Sequence, residues 1–130
     1  MFIETITEKE LEDYLESIGG LENGYFTDRE PIKEAGFFCI GPGWYGLVKK
    51  LIEELIEDGW DKQICQVKEK FGGLRFYTNG GGENHYSIIS KYENLSVKIC
   101  EKCGEPGESR GGGWIVTLCD KHYEESVKKK

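Results

Sequence analysis

The chain has 130 residues, a net charge of −7 and 38% hydrophobic residues. This length supports one hydrophobic core. No apolar run approaches the length of a membrane-spanning helix, so we expect no membrane partner. The negative charge argues against general nucleic-acid binding, because such binding requires a basic surface.

The start of the sequence predicts a reducing compartment. Met1 is followed by the acidic residues Glu4 and Glu8, without the basic and apolar segments of a secretory signal. We therefore expect a cytoplasmic protein, in which clustered cysteines bind metal more often than they form disulfides.

The first predicted element is a helix over residues 8–18. Thr7 and Glu10 have the spacing of a capping box, and Gly19 and Gly20 are expected to end the helix. The apolar positions that form one helical stripe are Leu11, Tyr14, Leu15 and Ile18.

A second helix is predicted after a short strand-like run. Residues 37–40 form that run and predict a buried strand. Gly59 is expected to end the helix, and Trp60, the next residue, is expected to lie in the core. Cys39 and Cys65 are expected to be small buried hydrophobic residues. The helix is predicted by a repeat typical of one buried face. Its members are Trp44, Leu47, Val48, Leu51, Ile52, Leu55 and Ile56.

A β-hairpin is predicted over residues 64–79, with Gly72 and Gly73 as a two-residue turn. In that register Lys70 faces Arg75, and side chains alternate between two faces. The apolar face collects Cys65, Val67, Phe71, Leu74 and Phe76. The opposite face, which we call the basic face, collects Gln66, Lys68, Lys70, Arg75 and Tyr77.

Two interpretations of the basic face stay open. Residues 1–60 contain 14 acidic and five basic side chains, whereas residues 61–79 contain two acidic and four basic ones. In one interpretation, solvent or carboxylates of the second helix neutralise these cations; the candidates are Glu53, Glu54 and Glu57. In the other, Arg75 and the lysines bind an anionic ligand while Tyr77 stacks on a ring or donates its hydroxyl. Glu69, on the apolar face, is expected to pair with a buried base.

A glycine triplet at residues 80–82 is expected to be a linker to a third helix over residues 83–95, where Tyr86, Ile89 and Tyr92 have helical spacing. The triplet lacks the lysine and hydroxyl residues of a phosphate-binding P-loop. His85, the histidine that follows it, is expected at the surface.

The C-terminal region contains the spacing of a metal site. Cys100, Cys103, Cys119 and His122 form a C-x2-C and a C-x2-H pair separated by 15 residues. This donor set is typical of a closed, structural Zn²⁺ site, which leaves no position open for a catalytic water. Free thiols or a disulfide are the alternative reading.

The elements predicted around these ligands are those of a treble-clef zinc finger. We predict a zinc knuckle at residues 99–104, a strand at residues 114–118 and a helix at residues 123–130. The glycines at 111–113 permit the tight turn between them. The sequence therefore predicts an α+β protein, in which amphipathic helices pack on a small antiparallel sheet or hairpin. It has a domain over residues 1–97 and a treble-clef-like zinc module over residues 98–130.

Catalytic motifs are lacking. There is no nucleophile elbow, no H-E-x-x-H motif and no paired-aspartate motif. We therefore expect a binding protein, not an enzyme.

Four segments together resemble a family of small, largely uncharacterised phage and prophage proteins. They are the Gly-Pro-Gly-Trp at 41–44, the hairpin at 67–77, the knuckle at 99–104 and the run at 113–120. The resemblance covers about residues 37–125. It implies a phage accessory protein in the bacterial cytoplasm that acts by binding.

Three functions are compatible with these observations. The first is sequestration of an anionic small molecule, such as a signalling nucleotide of host immunity, on the basic face. The second is docking of the acidic helices to a basic host protein, in mimicry of nucleic acid. The third is minor hydrolysis of such a nucleotide. A homo-oligomer is compatible with each.

Overall fold

The computed structural model describes residues 3–26, 28, 30–111 and 113–128. Its helices are α1 (Glu8–Ser17), α2 (Tyr45–Glu57), α3 (Glu83–Ser96) and α4 (Asp120–Lys128). Its strands are β1 (Glu22–Asn23), β2 (Gln63–Lys70), β3 (Gly73–Thr78), β4 (Glu108–Arg110) and β5 (Val116–Leu118), and 3₁₀ turns span Ala35–Phe37 and Pro42–Trp44. In these residues the strands form one sheet in the order β1-β2-β3 and a second sheet of β4 and β5, so the predicted α+β class is confirmed.

Helix α1 begins with the predicted capping box. The Thr7 hydroxyl accepts a hydrogen bond from the Glu10 backbone N–H at 3.1 Å, and the Glu10 carboxylate accepts one from the Thr7 N–H at 3.2 Å. The box satisfies two of the backbone donors that a helix start leaves without partners. The helix ends at Ser17, just before the two glycines that were predicted to stop it.

Helix α2 is the centre of the core. It contacts both α1 and α3. Its predicted face is fully buried at Leu47, Val48, Leu51, Ile52 and Leu55. Burying each such side chain contributes about 1.5–3 kcal/mol, so this helix supplies much of the stability of the fold. Trp44, immediately before it, and Trp60, after it, are also buried, as predicted.

The hairpin forms, but its turn lies one residue earlier than predicted. Phe71 and Gly72 occupy the turn with φ values of 55° and 78°, Lys70 pairs with Gly73, and Lys68, in place of Lys70, lies opposite Arg75. The reason is a tertiary contact. The Thr117 hydroxyl of β5 donates to the Gly72 carbonyl at 2.5 Å, and a Cβ at Gly72 would lie 3.2 Å from atoms of Ile115, Val116 and Thr117.

Moving the turn changes the partners, but by itself it turns no paired side chain to the opposite face, because every partner shifts by two positions. Phe71 is the exception, since it now lies in the turn and is 67% exposed. A left-handed backbone at a bulky residue costs about 1–2 kcal/mol. The structure therefore keeps an exposed ring at a position that glycine or asparagine would occupy at lower cost.

Both cysteines outside the metal group are more accessible than predicted. A β-bulge between Ile64 and Gln66 displaces Cys65 from the apolar face, so that it is half-buried. Cys39 is exposed, because residues 37–40 form the end of a 3₁₀ turn and a single bridge to Lys68 instead of a buried strand. The bridge still extends the edge of β2, through a Cys39 N–H bond to the Val67 carbonyl.

Glu69 pairs with no buried base among the described residues, contrary to the prediction; its carboxylate accepts a hydrogen bond from the Gly72 N–H at 2.7 Å and thereby holds the turn. His85 lies near the surface but is partly covered: its side chain is 15% exposed, and its Nε2 lies 3.3 Å from the Asp58 carboxylate. Tyr86 lies on α3, as its helical spacing predicted, and is 54% exposed.

Helix α3 covers the outer edge of β3. The Ser96 hydroxyl accepts from the Leu74 N–H at 2.9 Å, and the Glu93 carboxylate accepts from the Phe76 N–H at 3.0 Å. Side chains of the helix thus take the place of a further strand and protect this edge from pairing with other chains. None of the helices that the structure describes is long and apolar enough to cross a membrane.

The C-terminal region docks on the core through backbone contacts. The Gly43 N–H donates to the Glu101 carbonyl and the Trp44 indole Nε1 donates to the Ile99 carbonyl, each at 2.8 Å. A Cβ added to Gly43 would overlap the Cys100 carbonyl oxygen and lie 2.6 Å from the Gly104 nitrogen. This approach requires glycine at position 43.

We therefore predict that Gly43→Ala separates the C-terminal region from the core. The added methyl meets backbone atoms, which cannot move aside as a side chain can, so we expect a loss of about 1–3 kcal/mol in the free energy of unfolding. Gly36→Ala is the matched control, because a Cβ at Gly36 meets nothing within 4 Å. Equal stability of the two variants in urea denaturation would contradict the docking described here.

Candidate metal centre

Four side chains of the C-terminal region converge on one point. The donor atoms of Cys100, Cys103, Cys119 and His122 all lie within 4.8 Å of one another. These are the four ligands that the sequence predicts, and together they form a group that could hold a metal ion.

The spacing of the donor atoms fits a tetrahedral shell. A tetrahedron with metal–sulfur bonds of about 2.3 Å has sulfur–sulfur edges of about 3.8 Å and sulfur–nitrogen edges of about 3.6 Å. The Sγ atoms of Cys103 and Cys119 are 3.7 Å apart, and Cys100 Sγ lies 3.6 Å from His122 Nδ1. The edge between Cys119 and His122 is shorter, at 3.2 Å.

Each pair of ligands is placed by local structure. The first pair lies on a tight turn closed by the Gly104 N–H, which donates to the Cys100 carbonyl at 2.9 Å. The second pair lies where β5 passes into α4, with Cys119 just before the helix and His122 in its first turn. The knuckle, the hairpin of β4 and β5, and the helix agree with the predicted treble-clef-like arrangement. Gly112 of the predicted glycine turn and the last two residues of the predicted helix lie outside the described residues.

Backbone amides favour the thiolate form of the most buried ligand. Burial alone would raise the pKa of Cys100, but the backbone N–H groups of Cys119, Lys102 and Cys103 point at its sulfur and lower the pKa overall. Burial raises the pKa of Cys103 to about 11, against a smaller opposing effect of the Glu105 N–H. A divalent cation would stabilise both thiolates further.

This centre can hold a metal ion, but its donor set is not that of a catalytic site. Three thiolates and an imidazole fill a tetrahedral shell, so no position is left for a water or a substrate. The role that the donor set supports is structural: it links the knuckle, β5 and α4 in a region where α4 has no buried residue of its own.

The basic face is the second group that the sequence singles out, and its five side chains share one surface of the β2-β3 hairpin. Gln66 lies opposite Tyr77 and Lys68 opposite Arg75. The Lys68 ammonium lies 5.9 Å from the Tyr77 ring centre, and Arg75 Nη1 donates to the Leu74 carbonyl at 3.2 Å.

The carboxylates that were considered as neutralising partners do not contact the basic face. Glu54 accepts hydrogen bonds from Lys91 and from the Tyr92 hydroxyl, and Lys91 is the main cause of its lowered pKa. In residues 3–26, 28, 30–111 and 113–128, no carboxylate lies within 4.0 Å of the charged groups of Lys68, Lys70 or Arg75.

Two exposed aromatic residues were missed as candidates for a functional site. Trp114 was assigned to a strand and Phe71 to the apolar face, but they are 79% and 67% exposed and line the same cavity. One signal was available for Trp114: it follows three glycines and therefore stands at the tip of a loop. No signal marked Phe71, because its exposure depends on the position of the turn.

Comparisons with protein-family models, with curated proteins and with solved structures give no match to this chain.

We predict that the chain binds one divalent metal ion and that metal removal unfolds the C-terminal region. A metal present at a thousand times its Kd contributes about 4 kcal/mol of stability. A chelator should therefore lower Tm and remove amide-exchange protection from residues 98–128, with less effect on α2. Cys103→Ser should lower the metal content measured by elemental mass spectrometry, whereas Cys39→Ser, at an exposed cysteine outside the group, should not. An unchanged Tm after complete loss of metal would refute a structural role.

Proposed function

We propose that this chain is a zinc-stabilised, non-enzymatic binding protein that holds an anionic small molecule on the basic face of its β2-β3 hairpin. The observation that carries the proposal is the pairing of Lys68 with Arg75. The two cations lie directly opposite each other, and neither has a carboxylate partner among the described residues.

Zinc is the metal that suits the centre best. Thiolate and imidazole donors favour zinc over magnesium or calcium, which prefer oxygen ligands. A tetrahedral arrangement of such donors is also the usual geometry of structural zinc. Zinc would serve to hold the region that supports the tip of the hairpin.

An anion would offset an electrostatic cost that the fold leaves in place. Like charges directly opposite on a hairpin are destabilising, and a protein with a net charge of −7 has many carboxylates that could have been placed beside them. A bound phosphate or carboxylate would turn this repulsion into attraction and would accept charge-assisted hydrogen bonds from Arg75.

The neighbouring residues favour a nucleotide over a simple inorganic anion. Tyr77 is 42% exposed next to Lys68, so its ring and its hydroxyl are both accessible to a ligand. The resemblance to phage proteins suggests a setting in the bacterial cytoplasm, where capture of a host immune signalling nucleotide would counter defence. Sequestration fits the residue types of the face: amide, ammonium, guanidinium and phenol groups hold an anion, and the face has no carboxylate or imidazole to act as a general base.

A second candidate function is docking of the acidic helical surface to a basic host protein. Carboxylates on α1 and α2 lie close enough to two partly buried tyrosines to affect the pKa of their hydroxyls. After burial itself, Glu8 and Glu12 raise the pKa of Tyr45, and Glu53 contributes to raising that of Tyr14 to about 12. Such a surface could mimic the charge of nucleic acid.

We predict that the double variant Lys68→Gln/Arg75→Gln loses affinity for nucleotides. A hydrogen bond to a charged group contributes about 1.5–3 kcal/mol, so removing both cations should weaken binding by at least about a hundredfold. The measurement is isothermal titration calorimetry with a panel of mononucleotides and cyclic dinucleotides.

The double variant Lys50→Gln/Lys128→Gln is the control for the change in net charge, because it also removes two positive charges. Both lysines are exposed, and neither belongs to the basic face. Absence of binding by the wild-type chain to every nucleotide of the panel would reject the proposal. Mass spectrometry of the recovered ligand separates sequestration from hydrolysis, because a cleaved ligand would identify an enzyme.

A further inference from the structure

Two aromatic side chains are exposed to solvent, one in the turn of the β2-β3 hairpin and one in the loop before β5. Phe71 is 67% exposed and Trp114 is 79% exposed, whereas the other tryptophans, Trp44 and Trp60, are 0% and 6% exposed. Large aromatic groups usually stabilise a fold by being buried. These two contribute little in that way, so another reason for their presence is needed.

The backbone at Phe71 makes this arrangement more unusual. Its φ of 55° lies in the left-handed region, which a bulky residue rarely adopts. Strained positions of this kind cluster at functional sites. Asparagine or glycine would suit the turn better, and neither would present a ring.

Phe71 and Trp114 line one cavity between the hairpin turn and the loop before β5, which we call the tip cavity. Its volume is about 340 Å³, at the lower end of the range of small-molecule sites. The remaining lining residues are Glu69, Lys70, Gly113 and Ile115. The two rings make no contact with each other in the part of the chain that the structure describes, so the space between them is open to a ligand.

The charged groups at the tip cavity favour an anionic ligand. The Glu69 carboxylate is occupied by the Gly72 N–H at 2.7 Å. The Lys70 ammonium, which has no carboxylate within 4.0 Å in the described residues, lies 5.5 Å from the Phe71 ring centre. Lys70 also belongs to the basic face, where Lys68 and Arg75 follow about 7 Å further along the strands. The tip cavity and the basic face therefore form one continuous surface.

We infer that the tip cavity binds the flat heterocyclic ring of a nucleotide, between Phe71 and Trp114, while the phosphate lies on Lys70 and the adjoining basic face. This inference rests on the proposed function and deepens it, because it assigns the base as well as the anion. Stacking on aromatic side chains accepts any base, so the ligand class is a mononucleotide or dinucleotide of any sequence. A cavity of this volume suits one ring system better than a peptide helix, which needs an extended groove.

The test compares ligands that share a phosphate but differ in the ring. Wild-type protein is titrated with AMP, adenosine and ribose 5-phosphate, and binding is followed by calorimetry and by tryptophan fluorescence. Trp114 is the accessible tryptophan, so stacking should quench its emission. We expect AMP to bind at least about tenfold more tightly than ribose 5-phosphate, because stacking adds to the affinity for phosphate.

Phe71→Asn and Trp114→Ala should each weaken AMP binding by about tenfold and leave ribose 5-phosphate binding unchanged. Phe71→Asn is expected to melt no lower than wild type, since asparagine tolerates the left-handed turn, so its loss of affinity would not reflect unfolding. Tyr86→Ala, which removes a 54% exposed ring from α3, is the control and should bind AMP as wild type does.

Failure of this inference and failure of the proposed function give different results. Equal affinities for AMP and ribose 5-phosphate, with no change in Phe71→Asn or Trp114→Ala, would overturn the ring site and leave the anion site. If neither phosphate compound binds and no nucleotide of the calorimetry panel binds, the proposed function fails. In that case, adenosine that quenches Trp114 fluorescence in the wild type but not in Phe71→Asn would still support the ring site. If adenosine does not quench the wild type, the ring site is overturned as well. If an oligothymidylate binds a hundredfold more tightly than AMP, the ligand is single-stranded nucleic acid and not a free nucleotide, and the inference is overturned.

Discussion

The close approach of two backbone segments, residues 41–44 and the first metal knuckle, is the constraint on which the rest of the structure depends. Gly43 donates to Glu101 and leaves no room for a side chain, so the knuckle is fixed directly to the start of α2. A second contact, from Thr117 to the Gly72 carbonyl, fixes β5 to the hairpin turn. Free energy from a metal ion bound at the Cys/His group would thereby be coupled to the position of the hairpin, although that group lies in another part of the chain.

This constraint gives a physical reason for the four sequence segments that resemble the phage and prophage proteins. The Gly-Pro-Gly-Trp segment, the hairpin, the knuckle and β5 lie far apart in sequence, yet they meet at these two contacts. A glycine is needed at position 43 because another backbone occupies the space of a Cβ. Glycine is favoured at position 72 because φ is 78° and atoms of residues 115–117 lie 3.2 Å from the place of a Cβ. The combination of segments therefore describes the joint between two parts of the molecule. It does not by itself describe a ligand site, which depends on the side chains around the joint.

Local patterns predicted the parts of the fold that local physics decides. The capping box, the buried face of α2 and the four metal ligands depend on short spacings, and each was found where the sequence placed it. The turn of the hairpin was misplaced because two glycines in succession allow either register, and contact with β5 chooses between them. Cys39 and Cys65 were misplaced for a similar reason: a bulge and a 3₁₀ turn interrupt the alternation on which the prediction relied.

The same tertiary contact that shifts the turn also determines which side chains reach solvent. If Gly72 and Gly73 were the two central residues of the hairpin turn, Phe71 would end β2 opposite Leu74. Docking of Gly72 on β5 instead forces Phe71 into the turn, beside the loop that carries Trp114. The shift places Lys68, in place of Lys70, opposite Arg75 and leaves Lys70 at the boundary between the charged surface and the aromatic one. An exposed ring on a strained backbone, a repulsive pair of cations and an accessible tryptophan each weaken or fail to help the fold. Their adjacency has a single explanation if one ligand, aromatic at one end and anionic at the other, contacts all three.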